Sequence, residues 1–83
     1  MTHSERVLQG LGRALQEVRD RRGLTQEALS LETGVHRNYI GGIERGERSP
    51  SVVSILKLAA ALDVSVSDLF RQAEWFAASG GAS

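Results

Sequence analysis

Residues 25–45 read TQEALSLETGVHRNYIGGIER, and the rest of the chain is arranged around them. The segment divides at a glycine into two short helices. Thr25 has the chemistry of an N-cap, its hydroxyl able to accept a bond from an orphan backbone N–H, and Gln26 and Glu27 fill the first turn with good helix formers. Gly34 ends that helix, because it enters the left-handed conformation of a helix C-terminus without a Cβ clash. The second helix is predicted from about His36 to Arg45. Its inward stripe is Tyr39, Ile40 and Ile43, which leaves Arg37, Asn38, Gly41, Gly42 and Arg45 facing outward.

On the N-terminal side, Leu8, Leu11, Leu15 and Val18 follow a 3 and 4 spacing, so Arg6 to Arg22 is read as an amphipathic first helix closed by Gly23. Residues 1–5 show no periodicity and are expected to be a loose arm. In the second helix Leu29 points to the core, and Ser30 is small enough to let two helices cross closely. Past the central segment, Gly46 reads as a C-cap and Glu47 to Ser49 as a polar loop. Pro50 and Ser51 open a fourth helix, with Ser49 or Ser51 as its cap.

That fourth helix carries two apolar stripes. Ile55, Leu58, Ala59 and Leu62 make one, turned to the core; Val52, Val53, Leu56 and Ala60 make the other. A helix apolar on two faces must bury both, and a small domain has core for only one. The second stripe is therefore the candidate homodimer interface, unless the C-terminal segment covers it. Ser65 and Asp68 fit a capping box for a fifth helix in which Leu69 and Phe70 turn inward. Trp75 and Phe76 are too large to expose cheaply and are expected either to cover the dimer seam or to fold back on the first helix. The reading is an all-α, five-helix domain over residues 6–76, with a flexible tail at 77–83.

Composition narrows what such a domain does. In 83 residues there is one domain, and a chain this small buries only about 60% of its unfolded surface, so association with a second copy adds needed stability. The lack of cysteine excludes disulfides and thiolate metal sites and suits a reducing cytoplasm. No apolar run approaches the roughly 20 residues of a membrane span, and MTHSERVLQG lacks the apolar centre of a signal peptide. Enzymatic readings fail on inventory: two histidines, no phosphate-cradling loop of the G-x-x-x-x-G-K-S/T type, and no acid and base beside a nucleophile. No cofactor, metal ion or small-molecule ligand is expected.

A short helix, a glycine turn and a helix showing Arg and Asn form a helix-turn-helix pattern. From Gly23 to about Phe70 the chain resembles the phage-repressor and Cro type of helix-turn-helix, the xenobiotic-response-element family. The resemblance rests on Leu24-Thr25-Gln26, Leu29, Gly34-Val35, Ile40, Ile43-Glu44-Arg45-Gly46, Arg48, Pro50-Ser51, Ile55, Leu58-Ala59, Ala61-Leu62, Val64 and Leu69-Phe70. Within that family the run from Asn38 to Gly46 and the short chain are most similar to the controller proteins of restriction-modification systems.

The resemblance implies a lambda-repressor-like fold and double-stranded DNA as partner, with a homodimer reading a near-palindromic operator. It implies that Gln26, with Thr25 at the same helix N-terminus, meets a phosphate, and that Arg37 and Asn38 present their side chains to base edges. Arg37 suits guanine O6 and N7, and Asn38 suits adenine N6 and N7. His36 is expected at a phosphate or base edge, its quality as a cap being doubtful where serine is frequent. The Tyr39 hydroxyl is assigned to a phosphate, and Arg45, Arg48 and Ser49 to the DNA backbone. Gly42 stands where relatives often carry a base-reading side chain; here it is read as a place where the duplex comes close to the helix backbone. Arg19 is expected to pair with Glu44 as a structural brace.

Charge tempers this reading. Ten basic residues balance ten acidic ones; residues 1–48 hold eight Arg against seven acids, and residues 49–83 one Lys and one Arg against three. Long-range steering is then weak, and affinity must rest on a few local contacts. A phage-type repressor and an antitoxin-like regulator are the rivals within the class, and a helical protein-interaction module is the rival outside it.

Overall fold

The computed structural model describes residues 1–80, which form five helices and no strand. They are α1 (His3–Arg21), α2 (Gln26–Thr33), α3 (Arg37–Glu44), α4 (Val52–Ala61) and α5 (Val66–Gly80). The all-α class and the placement of α2 and α3 around a glycine turn follow the pattern read from the sequence.

The N-terminus corrects the expectation of a loose arm. Thr2 caps α1: its hydroxyl accepts from the Glu5 N–H at 3.1 Å, and its own N–H donates to Glu5 Oε1 at 2.9 Å. This reciprocal capping box satisfies two orphan donors and starts the helix at His3 rather than Arg6. Periodicity missed the first turn because its side chains face solvent and carry no apolar stripe.

Leu11, Leu15 and Val18 of α1 enter one core with Leu29, Val35, Ile40, Ile43, Ile55, Leu58, Leu62, Leu69 and Ala73. Two glycines let other helices approach α1 closely. A Cβ on Gly10 would collide with the Ala73 carbonyl of α5, and one on Gly12 would collide with the Ile43 carbonyl and lie 2.7 Å from that of Glu44. Gly12 thus sets the distance between α1 and the end of α3.

The turn between α2 and α3 is locked from both sides of Gly34. Gly34 sits at φ 75° and donates to the Ser30 carbonyl at 2.8 Å. The Thr33 hydroxyl donates back to Leu29 and accepts from the Val35 N–H. Val35 can then drop into the core and α3 can leave in a new direction.

Ser51 is the N-cap of α4, its hydroxyl accepting from the Ser54 N–H at 3.0 Å. At the entry to α5 the Ser65 hydroxyl accepts from the Asp68 N–H. The Asp68 carboxylate pairs with Arg71. Two expectations for α5 change, those for Phe70 and for the tail. Leu69 is buried but Phe70 is exposed, because consecutive helical residues point about 100° apart and the stripe continues to Ala73. Trp75 is 65% exposed, whereas Phe76 packs on the core beneath the Arg13 guanidinium, 5.1 Å from its ring centroid. The helix also continues to Gly80, so residues 77–80 of the expected flexible tail are helical; the rest of that tail lies outside the described residues.

The C-terminal segment leaves the second stripe of α4 uncovered. Val52, Val53 and Leu56 are 74%, 60% and 52% exposed, and Ala60 is exposed beside them. Among the described residues no helix is long and apolar enough to cross a membrane.

Candidate nucleic-acid interface

The surface built on α2 and α3 is organised from behind by one carboxylate. Glu44, with 3% of its side chain exposed, accepts from Arg19 Nε at 2.7 Å, from Arg19 Nη2 at 3.0 Å and from Gln26 Nε2 at 2.8 Å. One group therefore joins α1, α2 and α3. The Arg19 guanidinium also donates to the Leu24 carbonyl at 2.8 Å and lies 3.3 Å from Asp20. Hydrogen bonding to Glu44 raises the Arg19 pKa against the opposing effect of burial, so the guanidinium stays cationic. Two-pronged pairing of this kind fixes orientation as well as distance.

Gln26, assigned from the sequence to a phosphate, has one amide proton committed to Glu44. Nothing local predicts this bond, since its partner lies 18 residues away. Thr25 caps α2 by accepting from the Ala28 N–H at 3.0 Å, which leaves its hydroxyl proton free to donate outward. His36 stands where serine is the frequent cap, and it caps α3: its Nδ1 accepts from the Asn38 N–H at 3.1 Å. An imidazole nitrogen here does what a serine hydroxyl does elsewhere, and its ring stays exposed.

Tyr39 differs from its assignment. Its hydroxyl donates to the Ser49 carbonyl at 2.8 Å and accepts from the Ser51 N–H at 3.0 Å, so it fastens the α3–α4 loop to α3. Both functions of the hydroxyl are already used within the chain. The glycine pair also differs: Gly41 and Gly42 are buried, not outward. The Arg48 side chain folds back over Gly42, where an added Cβ would lie 2.5 Å from Arg48 Cγ, and its guanidinium lies 5.1 Å from the Tyr39 ring centroid. Gly41 faces Gln26 Oε1 and Arg45 Nη1. The periodicity placed the two glycines on the outer face, but the loop after α3 returns across that face, and loop geometry is not periodic.

What remains outward is a compact polar set. Arg37 and Asn38 are exposed in the first turn of α3, with Arg45, Arg48 and Ser49 exposed at its far end. Over eight residues α3 is about 12 Å long, a length that fits a major groove. Arg37 Nη1 lies 3.5 Å from Glu27 Oε2 and Arg45 Nε lies 3.1 Å from Glu47 Oε1. No cluster of metal-ligating side chains occurs among the described residues.

A short helix, a left-handed glycine turn and a helix braced from behind, with arginine and asparagine at its leading end, define a helix-turn-helix unit. The helix-turn-helix family model matches residues 15–69, and the chain belongs to that family. It is 39% identical over 70 residues to the control protein C.BamHI of Bacillus amyloliquefaciens, covering 83% of this chain and 84% of that one. The restriction-modification controller protein C.AhdI from Aeromonas hydrophila is similar in structure, with a TM-score of 0.72 and 48% identity over 75% of this chain and 94% of that one. The controller protein C.Esp1396I, solved as a tetramer with its natural 35 base-pair operator, matches with a TM-score of 0.75 at 28% identity, covering 86% of this chain and 93% of that one.

Proposed function

We propose that this chain is a sequence-specific DNA-binding transcriptional regulator of the controller-protein kind, acting in the cytoplasm as a homodimer and without catalytic activity. The observation that carries the reading is the exposure of Arg37 and Asn38 at the leading end of a helix whose back is fixed by Glu44. Each protomer lays α3 in a major groove, and two copies span half-sites about 34 Å apart. C.Esp1396I offers a precedent for assembly on an operator.

The contacts divide by chemistry. Arg37 and Asn38 read bases. Thr25, Gln26, Arg45, Arg48 and Ser49 hold phosphates, which sets register and supplies the salt-sensitive part of affinity. His36 stands beside the base-reading pair as the cap that holds their turn in place. With Gly42 covered by Arg48, less sequence is read directly, and more of the preference comes from DNA shape. The uncovered face of α4, Val52, Val53, Leu56 and Ala60, joins the two copies; Trp75 is the large apolar side chain on α5 available to extend that seam, while Phe76 serves the core of its own protomer.

Arg37→Ala tests the reading. It is expected to weaken operator binding by about 1–3 kcal/mol and to relax preference at one base pair. An equal loss on every sequence would place Arg37 on a phosphate instead.

A further inference from the structure

We infer that Glu27 and Glu47 are built-in counterions of the DNA-facing arginines that suppress binding to arbitrary DNA, and that Glu27, paired with the base-reading Arg37, is thereby specificity-determining. The inference rests on the proposed DNA-facing role of this surface. Arg37 at the leading end of α3 has Glu27 at 3.5 Å, and Arg45 at its trailing end has Glu47 at 3.1 Å. Arg48, between them in role, has no ion-pair partner among the described residues and stacks over Tyr39.

All four paired side chains are more than half exposed. Ion pairs this exposed contribute little to stability, so the fold gives no strong reason for them. Their effect on a polyanion is larger. An arginine that meets a phosphate releases a counterion from the duplex, and this release drives sequence-independent binding. A carboxylate within ion-pairing distance offsets that charge, so the arginine brings little net charge to a generic phosphate. Bidentate hydrogen bonds to a guanine edge depend on geometry, and a carboxylate that orients the guanidinium leaves them available. At Arg37 the pair thereby lowers affinity for arbitrary sequence more than affinity for the operator, whereas at Arg45, a phosphate contact, the pair with Glu47 lowers the sequence-independent part of both. The chain's zero net charge fits this arrangement at the scale of the whole surface.

The test uses Glu27→Gln, Glu47→Gln and the double variant of the full chain, titrated against a duplex of arbitrary sequence at several salt concentrations. Glu74→Gln, an exposed α5 carboxylate outside the ion pairs among the described residues, controls for net charge alone. Each single variant is expected to steepen the log–log salt dependence by up to about 0.9, and the double variant to bind arbitrary DNA about tenfold tighter near 0.1 M salt. The preference of Glu27→Gln for DNA upstream of its own gene should fall correspondingly, while Glu47→Gln should tighten both duplexes alike. Slopes and affinities equal to wild type, or an equal gain from Glu74→Gln, would overturn the inference while leaving the DNA-binding reading in place. Absence of any salt-dependent DNA binding by the wild-type chain would instead remove the reading on which it rests.

Discussion

Glu44 is the residue on which the geometry of the interface depends most. Its carboxylate is buried and satisfied by three donors from two other helices. Truncation strands the guanidinium of Arg19, whose side chain is 10% exposed, with only the Leu24 carbonyl and the exposed Asp20 as partners. Glu44→Ala is therefore expected to cost about 3 kcal/mol, the low end for breaking a buried pair from one side. A urea titration measures it; a loss below about 1 kcal/mol would mean the brace is dispensable. The partnership of Arg19 and Glu44 could be anticipated from the family resemblance, since Glu44 sits in its matched run and the resemblance implies a partner for it at Arg19. The bond from Gln26 to Glu44 could not, because an amide at a helix start looks equally suited to solvent or phosphate. Gly42 departs from its sequence pattern for a related reason: a helical wheel assigns it a direction, and only the path of the following loop shows that Arg48 occupies the space. Gly10 and Gly12 carried a usable signal, two glycines inside a strongly amphipathic helix, which mark close backbone approach.

At the scale of elements, the apolar periodicities located the helices, and the cap chemistry decided their ends. Thr25, Gly34 and Ser65 could be read because each cap lies within four residues of what it caps. The first turn of α1 escaped because Thr2 and Glu5 form a capping box ahead of any apolar stripe. That box makes a pH prediction. The Thr2 backbone N–H, with the Thr2 hydroxyl, holds the Glu5 carboxyl below the usual glutamate range. A group whose pKa is lowered on folding contributes stability above its unfolded pKa and loses it as pH falls through the folded value. The first turn of α1 should thus fray on acidification through and below the ordinary carboxylate range, while the rest of α1, anchored by Leu11 and Leu15, stays protected. Amide exchange at Glu5 and Arg6 as a function of pH reports it, and exchange at these amides independent of pH-driven fraying would count against the box. The extension of α5 to Gly80 was hidden by small residues that fit helix and coil alike.

For the whole molecule, the decisive features are an unpartnered apolar face and a neutral surface with locally placed cations. An 83-residue chain with Val52, Val53 and Leu56 exposed on one helix gains stability by pairing. Leu56→Asp should shift sedimentation from dimer toward monomer with helix content largely kept; an unchanged mass would place the interface elsewhere. The sequence revealed the two stripes of α4 but could not say whether the C-terminal segment covers one, because that depends on how α5 lies along α1. Since half-sites are bridged only by a dimer, the same substitution should weaken binding to a two-fold operator more than to a single half-site. The central claim, that this surface recognises DNA by sequence, is tested most directly by titrating the wild-type chain against a duplex from upstream of its own gene and a scrambled duplex at several salt concentrations. Tight, salt-sensitive binding that favours its own DNA is the predicted result. No binding to either duplex at low salt would contradict it and turn the fold into a module for binding protein.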